Sequence, residues 1–347
     1  MTLRVVQWTT GNVGKQSVQA IVQRPDLELV GCYAWSAEKA GRDVGELCGI
    51  DSVGVVATDD VDALLALKPD CVVYNPMWRD VDEMIRILEA GVNVVSTAAF
   101  ITGHSLGSDR ERIAAACERG GASMFGTGIS PGFVELLAII SAGVCDRVDK
   151  VTVVEEADTT AYDSPDTEIA AGFGRPIDDP DLQKLTEQGT AVFGEAVRMI
   201  GDALGVEFDE VRCEADYAKT TADLEMASWT IKAGCVAGLY ASWQGRVGDR
   251  TIVELTCRWR KGATLDPDWQ VGMGHTITID GRPTIQTSIS FLPPPDFQAT
   301  TMEEFMVLGH IMTAVPAINA IHGVVDAPPG IVTYTDLPLP LPSGYVP

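Results

Sequence analysis

The chain is 347 residues long, 46% apolar and 21% charged, with a formal net charge of −24. That length can bury a sizeable core and predicts two domains, with no low-complexity tract between them. So acidic a balance repels nucleic acid and anionic membranes, argues against both as partners, and obliges any anionic ligand to be met by local positive potential.

Met1-Thr2 leads straight into an apolar run, so no signal peptide is expected. Strand candidates lie at 4–8, 28–33, 53–57, 71–74, 92–96 and 122–125, with helix candidates at 13–23, 61–67, 81–89 and 109–119. The alternation predicts right-handed crossovers and a Rossmann-type α/β domain, a doubly wound parallel sheet, over residues 1–148. Strands that read as solid Val and Ile suit a sheet covered on both faces.

The first strand breaks into Thr9-Thr10-Gly11-Asn12-Val13-Gly14 before helical spacing resumes. A dinucleotide diphosphate needs backbone N–H groups close by and the positive end of a helix, and side chains at the turn would hold it away. Gly11 and Gly14 fall where the second and third glycines of G-x-G-x-x-G would stand, with Thr9 in place of the first; in the other register Ser17 is the small third residue. A tight turn without ligand is the plain alternative. The second strand runs out through Tyr33-Ala34-Trp35-Ser36 without the acid that holds NAD ribose hydroxyls. Ser36, Lys39 and Arg42 instead suit a 2′-phosphate, which favours NADP and leaves NAD possible.

Asn75-Pro76-Met77 follows the fourth strand and Ser96-Thr97-Ala98 the fifth, at strand ends where open α/β sheets bind ligands. Both are expected to border the nicotinamide. Ser130-Pro131-Gly132 reads as a helix start, with Ser130 capping and Pro131 in the first turn. The bare Gly126 and Gly128 before it suggest backbone donors facing a ligand.

Beyond residue 149 the pattern changes to an α+β substrate or dimerisation domain (149–300) built on a mostly antiparallel sheet. A strand at 151–154, a helix or loop at 163–174 and one long helix at 179–204 precede strands at 234–244, 251–260, 275–279 and 284–291. Asp280-Gly281 between the last two is a hairpin cue. Residues 301–347 are expected to return to the first domain through a helix at 302–321, interrupted at Pro316. Apolar runs look too short or too Gly-rich to span a bilayer. Eight cysteines without C-x-x-C spacing read as reduced, mostly buried thiols in a cytoplasmic protein, and no metal site is expected.

Hydride chemistry at a carbonyl or imine needs a proton source. Glu155, Tyr162 and His104 are the catalytic candidates, ahead of Glu156, Asp158 and His310. Strand alternation sends Glu155 and Glu156 to opposite faces, so at most one serves. Trp229, Trp243, Trp259 and Trp269 suggest an apolar pocket or a packed sheet.

With the glycine turn, Asn75-Pro76-Met77, Val94-Val95-Ser96-Thr97, the segment 126–132, Asp163-Ser164-Pro165 to Gly172-Phe173-Gly174 and the tail from Ala314 to Ile331 in place, the chain resembles a known group. It is similar to oxidoreductases with a dihydrodipicolinate reductase-like N-terminal domain, such as 2,4-diaminopentanoate dehydrogenase and native amine dehydrogenases. The resemblance implies NAD(P)-dependent hydride transfer on a small molecule, at a cleft between domains in a homodimer. It departs in two places. No paired histidines occur, which argues against dihydrodipicolinate reduction itself. The stretch 96–101 lacks the acid that amine dehydrogenases place after the fifth strand. The expected activity is thus an NAD(P)H-dependent oxidoreductase of a small carbonyl or imine, or of the matching alcohol or amine. The alternative is a catalytically inactive NADP-binding sensor or scaffold; a sugar-type oxidoreductase is disfavoured because Glu-Lys-Pro is missing after the fifth strand.

Overall fold

Apolar strands alternating with amphipathic helices bury both sheet faces only when the strands run parallel and the helices cross over them. The computed structural model, which describes residues 2–345, realises this in the first of two units, Met1–Phe133 with Val307–Pro347; the second is Val134–Met306. In the first unit β1 (Leu3–Trp8), α1 (Asn12–Val22), β2 (Leu27–Tyr33), α2 (Val44–Leu47), β3 (Ala57–Thr58), α3 (Val61–Ala66), β4 (Cys71–Tyr74), α4 (Val81–Glu89), β5 (Asn93–Ser96), α5 (Ser108–Gly120) and β6 (Ser123–Gly126) follow in turn. The chain returns as α10 (Met302–Val325), most of which belongs to this unit, and β16 (Gly330–Val332). The sheet order is β16-β6-β5-β4-β1-β2-β3, with every pairing parallel. Strand order therefore reverses between β1 and β4, the place where such sheets take ligands. Val6, Trp8, Val72, Tyr74, Met84, Ile87, Val94, Ile113 and Met124 form the core over one face.

The second unit holds α6 (Val134–Ala142), β7 (Arg147–Asp158), α7 (Pro165–Ala171), α8 (Leu182–Gly189), α9 (Ala191–Leu204), β8 (Glu210–Thr220), β9 (Leu224–Glu225), β10 (Thr230–Ile231), β11 (Val236–Val247), β12 (Arg250–Arg260), β13 (Leu265–Asp266), β14 (Gly274–Arg282) and β15 (Ile285–Ile289). Its seven-stranded sheet runs β13-β8-β11-β12-β7-β14-β15, antiparallel except where β12 meets β7. Alternation places Val151, Val153, Glu155, Leu255, Cys257 and Trp243 on the face that α6 and α9 cover.

Several expected elements differ. The third strand is only Ala57–Thr58, because Asp43 caps α2 and folds residues 52–54 back onto its carboxylate. The helix expected at 179–204 is two, broken at Thr190, whose hydroxyl receives the Trp243 indole at 2.9 Å. The hairpin cued by Asp280-Gly281 does form, β14 and β15 pairing up to Ile279–Ile285, while Asp280 to Arg282 continue along β7. Pro316, by contrast, does not interrupt α10. Burial of Ala314, Ala317, Ile318, Ala320 and Ile321 on both sides outweighs the missing N–H. As a result Glu304–Val325, 22 residues with mean hydropathy 1.4, is long and apolar enough to cross a membrane, contrary to the expectation from the sequence. All eight cysteines are unpaired, six of them buried.

Candidate functional site

At the end of β1 the chain must turn within a few residues into α1. Thr9 takes φ +71°, a left-handed conformation that costs a side-chain-bearing residue on the order of 1–3 kcal/mol. Gln7 supports it: Nε2 donates to the carbonyl of Thr9 at 2.9 Å and to that of Trp8 at 3.2 Å. The two glycines do different jobs. A Cβ on Gly14 would lie 2.4 Å from the Thr9 carbonyl oxygen, so its bareness lets helix and turn touch. A Cβ on Gly11 would meet nothing within 4 Å. Gly11 occupies the N-cap with no side chain capping the helix, so open space stands before the first-turn N–H groups. Thr10 is 2% exposed and its Oγ1 has no partner. An orphaned hydroxyl, open space and an uncapped helix end fit a dinucleotide diphosphate.

Asn75 ties the neighbouring strand ends together. Its Oδ1 accepts from Gln7 at 2.8 Å and from the Ser17 hydroxyl at 3.2 Å, while Nδ2 donates to Thr97 Oγ1 at 2.8 Å. Ser96 is buried, donating to the Tyr74 carbonyl and accepting from the Ala98 N–H. Ser96 and buried Ala98 thus shape the loop from within, whereas Thr97 is half-buried and Met77 is exposed. Beyond β2, Lys39 Nζ donates to the Thr10 carbonyl at 3.3 Å, bringing a cation to the turn. Ser36 accepts from the Glu38 N–H, Arg42 is exposed, and Trp35 stands 75% exposed beside them.

The segment after β6 departs from its sequence reading. Ser130, Pro131 and Gly132 have extended or left-handed backbones, with Gly132 at φ +143°, and α6 begins only at Val134. Ser130 is therefore not a helix cap, nor does Pro131 occupy a first turn. Gly132 is required because a Cβ there would come within 2.6 Å of Thr127 Oγ1. Gly126 is bare for packing too, since its Cβ would sit 1.8 Å from the Phe100 carbonyl oxygen; only Gly128 keeps ordinary clearance, with α10's Thr313 at 3.8 Å. On the same helix, burial and then the charge of Lys15 hold His310 below the ordinary imidazole range.

The three catalytic candidates lie in different surroundings. His104 is exposed on a short turn of the first unit, its Nδ1 2.8 Å from Thr102 Oγ1. Tyr162, 41% exposed, belongs to the second unit. Its loop is clamped by Lys261, a fully buried lysine that donates to the carbonyls of Thr159 and Tyr162 at 2.7 and 2.6 Å and pairs with Glu168. Glu155, also in the second unit, accepts from Trp259 Nε1 at 2.8 Å and lies 3.3 Å from His275 Nε2. Glu156 points to the other face, where it meets Arg258 at 3.1 Å. Gln7, Lys261 and His275 escaped the sequence reading, and Ser17 and Trp259 were read without these partners. Only Gln7 carried a signal, a lone amide inside the apolar strand Leu3–Trp8.

A parallel, doubly wound sheet with a bare βα turn at its switch point defines an oxidoreductase-type dinucleotide fold. Comparisons with known proteins narrow the class. The profile of the 2,4-diaminopentanoate dehydrogenase C-terminal domain matches residues 133–343, and that of the dihydrodipicolinate reductase N-terminus matches residues 5–118. An amine dehydrogenase of Streptomyces virginiae is 32% identical over 97% of this chain and 96% of its own. The 2,4-diaminopentanoate dehydrogenase of Acetoanaerobium sticklandii is 27% identical over 97% and 94%. The solved amine dehydrogenase of Mycobacterium smegmatis shares the fold, with a TM-score of 0.79 at 21% identity, over 98% of this chain and 97% of that one. The chain belongs to the 2,4-diaminopentanoate dehydrogenase family and is an oxidoreductase of it, as its resemblance had implied.

Proposed function

We propose that the protein interconverts a small amine with its imine or carbonyl partner, using NADP in preference to NAD. The observation that carries the coenzyme half is the turn, where uncapped α1, open space at Gly11 and the Lys39 ammonium lie together. Thr9, Thr10, Gly11, Asn12, Val13 and Gly14 would hold the diphosphate, and Ser36, Lys39 and Arg42 the 2′-phosphate. Asn75, Pro76, Met77, the loop of Ser96, Thr97 and Ala98, and Ser130, Pro131 and Gly132 would border the nicotinamide. When bound, the nicotinamide supplies or accepts a hydride. The chain's own residues would set the geometry for this: Gln7 and Ser17 hydrogen-bond Asn75, and Asn75 hydrogen-bonds Thr97, so the strand ends are tied to one another by side chains. Similarity to the Streptomyces virginiae amine dehydrogenase over nearly the whole chain supports the amine half.

Titration with NADPH and with NADH, followed by oxidation of NADPH with a ketone panel with and without ammonium, tests this reading. Tighter NADPH binding and ammonium-dependent turnover are expected. A second reading, a sensor that binds without turnover, is favoured by the absence of a carboxylate from residues 96–101. It predicts saturable binding and no oxidation with any ketone. The free thiols suit a cytoplasmic location. The second sheet's polar face, with Lys150 on Glu254 and Arg258 on Glu156, suits pairing of two copies into a homodimer, measurable by light scattering.

A further inference from the structure

Tryptophan is highly buried on average, because an indole offers a fold one of its larger gains in apolar area. Among the described residues only two tryptophans stand more than half exposed, Trp35 at 75% and Trp78 at 59%. They are far apart in sequence but not in the sheet. β1 lies between β2 and β4, and Trp8 is in register with Tyr33 on one side and Tyr74 on the other. Trp35 follows Tyr33 by two residues and Trp78 follows Tyr74 by four, so the two exposed indoles come from the loops on either side of the bare turn. The strands that lead to them are two spacings apart, about 10 Å. A flat ring held between two others needs about 7 Å, twice a carbon–carbon contact, so a pair of indoles leaning over β1 can take one ring between them.

The chain itself holds both supports. Beneath them Trp8 stacks on Tyr33 and Tyr74, with ring centres 4.5 and 6.3 Å away. The loop that carries Trp78 is tied beyond it: the Tyr74 hydroxyl accepts from the Asp80 N–H at 3.1 Å and donates to Glu83 at 2.8 Å, and Arg79 donates to the Ala99 carbonyl at 2.8 Å. Trp35 is framed by backbone bonds from the Ala34 N–H to the Thr58 carbonyl and from the Lys39 N–H to the Ser36 carbonyl, both 2.9 Å. Charge says what kind of ring belongs there. Burial, then Glu83, Asp59 and Asp80, push the Tyr33 hydroxyl above its ordinary value, so carboxylates crowd this side of the turn and repel anions. Lys39 Nζ, at the Thr10 carbonyl, attracts them at the turn itself. A ligand with phosphates at the turn and an uncharged flat ring beside it satisfies both. We propose that Trp35 and Trp78 stack on the two faces of the coenzyme's adenine ring and are its adenine-recognition residues. The inference rests on the dinucleotide reading above and deepens it, whichever of NADP and NAD is used, and every residue in it belongs to the first unit.

The test uses ADP-ribose, which carries the adenine and the diphosphate but no nicotinamide, followed by calorimetry and by tryptophan fluorescence. The wild type is expected to bind it with quenching of indole emission. Trp35→Ala and Trp78→Ala should each weaken ADP-ribose and NADPH binding roughly five- to hundredfold, as fits the loss of one stacked face. Trp35→Phe and Trp78→Phe keep a ring and should restore most of the affinity while removing part of the quenching. Melting temperatures should not move, since both side chains are exposed, and this separates lost stacking from a damaged fold. Wild-type affinity in either alanine variant overturns the proposal and leaves the coenzyme reading standing, as does ADP-ribose binding without quenching or an equal loss in the alanine and phenylalanine variants. Wild-type protein that binds neither NADPH nor NADH overturns the reading on which the proposal rests.

Discussion

Gly11 and Gly14 stand three residues apart, yet the structure asks opposite things of them. At Gly14 a methyl group would be driven into the Thr9 carbonyl, so Gly14→Ala is expected to lower the melting temperature as well as coenzyme affinity. At Gly11 the backbone is extended and nothing lies within 4 Å, so Gly11→Ala should fold with a stability change within about 0.5 kcal/mol. It should nonetheless weaken NADPH binding by filling the space in front of the helix. Thermal melts and fluorescence titrations on both variants check the pair. A sequence reveals that this turn is bare, but not which bareness serves packing and which serves a ligand. The same limit applies at Gly126 and Gly132, whose small size is explained by Phe100 and Thr127. Glu155 was visible as a candidate, whereas its partners were not, because Trp259 and His275 come from strands about a hundred residues away and only the register brings them together.

Among the elements, alternation and solid apolar runs made the parallel sheet of the first unit legible, since period and length leave few alternatives. Where local chemistry competes with tertiary packing, the reading failed. Helix α10 is the clearest instance: proline locally forbids a straight helix, but the residues around Pro316 are anchored in the core. The helix therefore bears an avoidable cost. Pro316→Ala is expected to stabilise the protein, by up to about 3 kcal/mol, with a rise in melting temperature as the measurement. The break at Thr190 was illegible for the opposite reason: helical spacing continues through it, and a tryptophan from β11 divides it.

For the molecule as a whole, the C-terminal tail is fastened to the first unit by a charged cluster. Arg24, 3% exposed, makes two hydrogen bonds to Asp26 and reaches Asn319 and Ser343, while Asp26 also meets His322 at 2.8 Å. Bonding to Arg24, above all, lowers the Asp26 carboxyl from 3.8 to about 2. A depressed carboxylate stabilises the fold fully above its unfolded value and ceases to do so as the pH falls through its folded value. The wild type should therefore lose this contribution between about pH 4 and about pH 2. Asp26→Asn should be less stable at neutral pH and flatter across that window in acid melts. The thiols give a second whole-chain check. Burial raises Cys32 to about 12 and Cys48 and Cys117 to about 11, while Cys145 and Cys235 are only half-buried. A thiol reagent should label those two first in the native protein and all eight after denaturation.

The first unit opens with β1 and is completed by β16, laid against β6 from the far end of the chain. A ribosome thus finishes the entire second unit while the first still lacks its border strand and the helix leading to it. Nascent protein must carry an unpaired β6 margin until β16 has been made, so premature stop codons between residues 306 and 330 should yield aggregates rather than a shortened working protein.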